Sequence, residues 1–217
     1  MNAISGVISP RRARPYLPRA SLVASIMLFA AASAARAQSS PEDPACHPPP
    51  APTGLTAHAS LAPADEPGER MTLRVRIEDT HGIALRGVVV YSYHTNARGL
   101  YPKRGGETGC SRWHGYLHGW ARTDSSGSVT FATIRPAPYP NDRSPAHVHL
   151  VMQFAGAQGF YVNGVTFTDD LLVNDAYRRS EQTLGGSGIV TPVRRANGTW
   201  EVARTIRLPR PVPPTDR

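Results

Sequence analysis

Two histidines one residue apart, His147 and His149, close the stretch Tyr139-Pro-Asn-Asp-Arg-Ser-Pro-Ala-His-Val-His149. On a strand, successive side chains point to opposite faces, so positions i and i+2 share one. The two imidazoles would then stand side by side while Val148 turns into the other layer, and the apolar continuation Leu150-Val151-Met152 supports a strand here. Imidazole is the commonest protein metal ligand, and Tyr139 could add a phenolate oxygen. Alone, the pair reads equally well as the solvated face of a strand. A second Tyr-Pro dipeptide, Tyr101-Pro102, ends the polar loop that follows Tyr93. Two phenols and two imidazoles make a donor set with a preference. Phenolate is hard and anionic and suits a trivalent ion, whereas a zinc site more often recruits Cys or a third His. The expected metal is Fe(III).

The elements that must position these groups read as strands. Thr72 to Glu78 alternates strictly between polar and apolar, the pattern of a half-buried strand. After the turn Asp79-Thr80-His81-Gly82 comes the β-branched and aromatic run Gly87 to Tyr93. Leu117 to Thr123, Ser128 to Ile134, His147 to Phe154 and Phe160 to Phe167 continue in the same style. Ile189 to Arg194 and Thr199 to Leu208 flank Ala196-Asn197-Gly198, a hairpin signal. Asn197-Gly198-Thr199 also matches a glycosylation sequon, but Asn-Gly is first a turn dipeptide. Only Asp169 to Gln182 offers room for a short helix. Many short strands with regular turns predict an all-β chain folded as a β-sandwich.

The organisation around that domain, residues 70–208, is simple. Residues 1–37 read as an export signal: Arg11, Arg12, Arg14 and Arg19 precede the apolar run Leu22 to Ala35, and Ala35-Arg36-Ala37 offers a cleavage site before Gln38. That run is too short and alanine-rich for a membrane span, which needs about 20 predominantly apolar residues. Residues 38–69 form a proline-rich irregular arm, with Pro41, Pro44, Pro48, Pro49, Pro50, Pro52, Pro63 and Pro67 excluding long helices and central strands. Residues 209–217, with four prolines, form a solvated tail. The formal charge of +8 is concentrated at the front. Residues 1–37 hold five arginines and no acidic residue, so the remainder carries 19 basic against 16 acidic residues, a net of only +3. No basic run interleaved with aromatics follows, which leaves nucleic-acid binding without support. Export also gives meaning to the two cysteines. Cys46 and Cys110 both lie beyond the cleavage site, and an oxidising compartment permits them to pair, pinning the arm to the domain.

The ordered set of motifs resembles the intradiol ring-cleavage dioxygenases, the family of protocatechuate 3,4-dioxygenase and catechol 1,2-dioxygenase. Gly87 to Tyr101 is similar to the family's strand and loop ending in a Gly-x-Tyr ligand. Gly119-Trp120-Ala121-Arg122-Thr123-Asp124 with Gly127 resembles the segment before its next strand. Thr133 to Pro140 is close to the stretch with the second tyrosine, and Pro145-Ala146-His147-Val148-His149 matches the His pair. Phe167 to Asp170 and Gly185 to Val190 resemble exported members.

The resemblance implies an intradiol-type β-sandwich with Fe(III) held by Tyr101 and His147 as equatorial ligands and Tyr139 and His149 as axial ones. It implies a catecholic substrate, O2 as co-substrate and a muconate-type dicarboxylate as product. Tyr139 would be the ligand that is displaced and acts as a base.

Three departures accompany it. Familiar members carry an arginine three residues before the first His, where this chain has Ser144; Arg143, one residue back, or Arg122 would have to supply that charge. Tyr93 stands where a Trp is usual. The proline-rich arm replaces the helical region that dimerises catechol 1,2-dioxygenases, so the oligomeric state stays open. His114 and His118 are expected at the rim of the pocket and His94 on the surface, while Tyr91, Trp120, Asp169 and Asp170 are expected as core or turn residues. Two other functions compete: a non-enzymatic β-sandwich binding module, and a relative that binds metal without catalysis.

Overall fold

The computed structural model describes residues 50–181 and 184–210. The export signal, the first part of the arm with Cys46, and the last seven residues lie outside them. Among these residues ten strands form two five-stranded sheets packed as a sandwich. In chain order these are β1 (His58–Ser60), β2 (Arg70–Glu78), β3 (Val89–His94), β4 (His118–Arg122), β5 (Ser128–Ile134), β6 (His147–Gln153), β7 (Phe160–Phe167), β8 (Ile189–Val190), β9 (Val193–Arg194) and β10 (Trp200–Arg207). Two short helices, α1 (Ser111–His114) and α2 (Asp175–Ser180), lie between them. The first sheet has the order β1-β5-β2-β10-β9 and the second β4-β3-β6-β7-β8.

Period-2 patterning builds the core between the sheets. From β2 the inward residues Met71, Leu73, Val75 and Ile77 are essentially inaccessible, and from the second sheet Val90, Val148, Leu150 and Met152 meet them. Each such side chain contributes about 1.5–3 kcal/mol relative to exposure. Three features depart from the sequence reading. A helix, α1, forms at Ser111–His114, outside the one stretch, residues 169–182, that offered room for a helix. The arm is not irregular throughout: between Pro52 and Pro63 no proline interrupts it, and His58–Ser60 adds to β5 as a parallel edge strand, followed by the buried Leu61 and Ala62. The segment from Ile189 to Arg194 is not one strand. Pro192 lacks the amide proton a ladder needs, and the chain changes sheets there, β8 pairing with β7 and β9 with β10.

One inward residue is charged. Arg204 on β10 is buried, and its guanidinium crosses the sandwich to donate to the carbonyl oxygens of Asn163, Gly164 and Gly186. Asn163 and Gly164 lie where the β6–β7 register shifts, a bulge flanked by the pairs Val148–Val165 and Leu150–Val162. The bulge lies opposite His149, the position between those pairs.

Candidate metal centre

The second sheet has a second buried layer on the face turned away from the core. Tyr91 and Tyr93 on β3 point there and pack with Val151, Tyr101, Trp120 and Tyr161. The register sets two rows across the strands: His118, Tyr93 and His149, then Trp120, Tyr91, Val151 and Tyr161. His149 is thus the direct cross-strand neighbour of Tyr93, and their rings stack at 4.3 Å with 8° between planes.

The two tyrosine-bearing loops reach this face together. Asn96 organises the first, its side-chain oxygen accepting from the amides of Arg98 and Leu100. Its carbonyl accepts from Ala137 of the second loop, and the Thr95 hydroxyl donates to the Ala137 carbonyl. Gly99 has φ of 74°, and a Cβ there would stand 1.9 Å from the Pro138 carbonyl oxygen, so only glycine permits the loops to touch. That contact brings Tyr101 and Tyr139 together, their hydroxyls 2.5 Å apart. Asp170 holds the approach to His147 by accepting from the amide of Ala146. No spacing signal could have revealed its role, because its partner lies 24 residues away.

Four donor atoms converge. Tyr101 Oη lies 3.1 Å from His149 Nε2; Tyr139 Oη lies 3.3 Å from His147 Nε2 and 3.4 Å from His149 Nε2; the two Nε2 atoms are 2.9 Å apart. With the pair of hydroxyls this makes five contacts. Protons are too few for them. His147 Nδ1 lies 2.7 Å from the Pro145 carbonyl oxygen and must donate to it, which leaves its Nε2 a bare lone pair. The phenols and His149 then offer three protons at most. A shared cation would satisfy every lone pair at once, and donors bound at ~2 Å around one ion stand ~3 Å apart, close to the 2.9 to 3.4 Å of the four contacts that involve an imidazole. Burial lowers the pKa of both imidazoles, and for His149 the neighbouring His147, His114 and His94 lower it further, so both stay neutral and able to ligate. No group of three His, Cys, Asp or Glu residues suited to a metal occurs among the described residues. The phenols are therefore essential to the reading.

The arginines fare differently from the four donors. Arg143 is exposed on the loop between Tyr139 and His147, where its amide donates to Asp142 Oδ1. Arg122 is exposed at the far end of β4, bonded to the Gly87 carbonyl oxygen. Four residues separate it from His118, about 13 Å along a strand, so the structure does not bring it to the donors. Ser144 turns its hydroxyl to Asp142 Oδ2.

The histidine expectations also change. His94 is not on the surface but fully buried, because its position in β3 alternates to the inner face. It bridges the sheets, with Nε2 2.6 Å from Thr133 Oγ1 and Nδ1 2.7 Å from the Thr95 carbonyl oxygen, and burial pushes its pKa down to about 4. His114 is buried rather than at a rim: Nδ1 is 2.9 Å from the Tyr91 hydroxyl and its ring lies flat on Tyr93. Burial lowers its pKa to about 4 as well and raises that of Tyr91. His118 is half-buried, with Nδ1 against the Gly115 carbonyl oxygen. Cys110 is buried and disulfide-bonded, while Cys46, its expected partner, lies outside the described residues.

Comparisons with known proteins agree with this architecture. A sequence-family model described as Dioxygenase matches residues 47–198. The dioxygenase domain of a dioxygenase–carbohydrate-binding fusion from Streptomyces sp. SirexAA-E superposes with a TM-score of 0.52 at 20% identity, covering 77% of this chain and 99% of that one. Catechol 1,2-dioxygenase from Acinetobacter sp. ADP1 gives 0.57 at 21% identity, and the match covers 73% of this chain but only 58% of that one. An intradiol ring-cleavage dioxygenase from Tetranychus urticae gives 0.52 at 16% identity, covering 76% and 92%. At such identities the structural likeness speaks for the fold.

Proposed function

The chain belongs to the intradiol ring-cleavage dioxygenase family, and we propose that it is an Fe(III)-dependent enzyme that opens a catecholic ring with O2 to a muconate-type dicarboxylate. One observation carries the proposal: four donor atoms of Tyr101, Tyr139, His147 and His149 make five contacts with too few protons to bridge them. These four residues would hold the iron. When bound, the ion supplies Lewis acidity to the chelated diol and makes the ring open to O2.

The chain's own residues do the rest. A catechol must shed two hydroxyl protons to bind as a dianion; Tyr139 Oη, held as phenolate, would take one, and solvent would take the other. Tyr139 sits on a loop rather than a strand, so it can swing out without breaking a ladder. Tyr101 and the His pair stay fixed, His147 by its bond to Pro145 and His149 by the stack on Tyr93. Arg143, four residues from both Tyr139 and His147, supplies positive charge against the anionic ring. Residues 1–37 direct export, and the mature protein begins at Gln38; N-terminal sequencing of secreted protein checks that boundary.

Iron-loaded protein should show a visible phenolate-to-Fe(III) charge-transfer band and consume O2 when given catechols. Colourless protein that retains no iron would refute the proposal. Ser144, bonded to Asp142 where relatives carry an arginine, favours a second reading in which iron is held without catalysis. Colour without turnover on a panel of catechols would decide for it.

A further inference from the structure

His114 belongs to neither the donor set nor the expected chemistry, yet it is held with unusual care. It ends α1, whose N-cap is the disulfide-bonded Cys110, and its amide donates to the Cys110 carbonyl oxygen at 2.9 Å. Gly115 follows with φ of 64°, and a Cβ there would meet the Pro102 carbonyl oxygen at 2.4 Å, so the turn is pressed against the residue next to Tyr101. Tyr116 donates its amide to that same Pro102 oxygen. Placed this way, the His114 ring bonds to the Tyr91 hydroxyl and stacks on Tyr93 with centroids 3.6 Å apart and 11° between planes. Tyr93 in turn lies 8° from the plane of His149.

Three nearly parallel rings thus run from a tethered turn to a donor. We propose that His114 is a positioning residue, acting through Tyr93 to set the plane of the His149 imidazole and so the direction of its Nε2 lone pair. An imidazole on a strand has two rotatable bonds, and cross-strand pairing alone fixes neither. A flat neighbour fixes the ring plane, and that neighbour must be fixed itself. Tyr93 is held by the stack with His114, and His114 by Tyr91 and the backbone of α1. The relevance to iron rests on the function proposed above; the orientation of the His149 ring does not.

The test therefore reads both. In metal-free protein, the His149 ring protons should carry an upfield ring-current shift from Tyr93, measurable by NMR. His114→Phe keeps a flat ring and should preserve that shift, with Fe(III) retention against a chelator within about 3-fold of the parent. His114→Leu fills similar space without a plane and should relax the shift and weaken iron retention by about 10- to 100-fold, the range for lost supporting contacts. Tyr91→Phe should fall between them. Leu and Phe variants that leave the His149 resonances and iron retention equally unchanged would overturn the proposal. So would a folded Phe variant that loses as much as Leu. Parent protein that binds no iron but shows the shift, with the shift lost in the Leu variant, would sink the function and leave this inference standing.

Discussion

The two outer faces of the sandwich are built by the same alternation and meet opposite fates. On the first sheet the outward side chains include charged groups that meet water: Arg74, Arg76 and Arg207 form ion pairs with Glu201 and the buried Glu78, and all three arginines are themselves exposed. On the second sheet the outward side chains are Tyr91, Tyr93, His149 and Tyr161, and the loops carrying Tyr101 and α1 close over them. Exposed charge pairs contribute little, because water screens them. Behind loops, with water largely removed, hydrogen bonds and lone pairs become expensive to leave unmatched. A reactive centre fits the second face for that reason.

Substitutions can break this contrast in graded steps. The largest effect belongs to the donors: Tyr101→Phe should abolish most of the visible band and lower O2 consumption by at least about 100-fold, read by absorption and an oxygen electrode. Next is the inward cation on β10. Arg204→Met should cost about 2–4 kcal/mol in urea denaturation, since it leaves the carbonyl oxygens of Asn163, Gly164 and Gly186 without their donor inside the sandwich. The same melt on Arg207→Met, three positions along the strand and facing water, should give a much smaller loss.

Stability also depends on pH through the buried His94. His94 has a folded pKa of about 4 against an ordinary 6.5, so the unfolded chain binds the proton more readily between those values. Its contribution to stability is complete above pH 6.5, declines as pH falls towards 4 and changes no further below that. The span amounts to about 3 kcal/mol, and His94→Gln should flatten that part of the stability profile. Arg143→Ala should lower turnover roughly 10-fold while leaving iron content intact, and unchanged turnover would remove it from the mechanism. Smallest of all, Arg74→Ala on the wet face should leave both the urea midpoint and activity where they are.

Much of this was legible in the residue pattern because it is local. Alternation announced β2, β-branched and aromatic residues announced β3, and Asn197-Gly198 announced the turn into β10. His147 and His149 share a face by spacing alone. Positions whose meaning depends on distant partners were not legible. His94 and His149 are both strand histidines, and nothing beside them in the chain says that one faces Thr133 across the core and the other faces the phenols. Arg122 carried a family motif yet lies at the wrong end of its strand. The edge strand β1 was obscured by the prolines on either side of it.

The sequence by itself determined the sandwich, the strand carrying the His pair and the two Tyr-Pro loops, since period and turn chemistry act over a few residues. Only the tertiary structure decided that four donors meet, that His114 stacks behind one of them and that Arg204 braces the bulge opposite His149. Those outcomes depend on register, loop contact and the exclusion of water, and each is a property of surfaces brought together from distant parts of the chain.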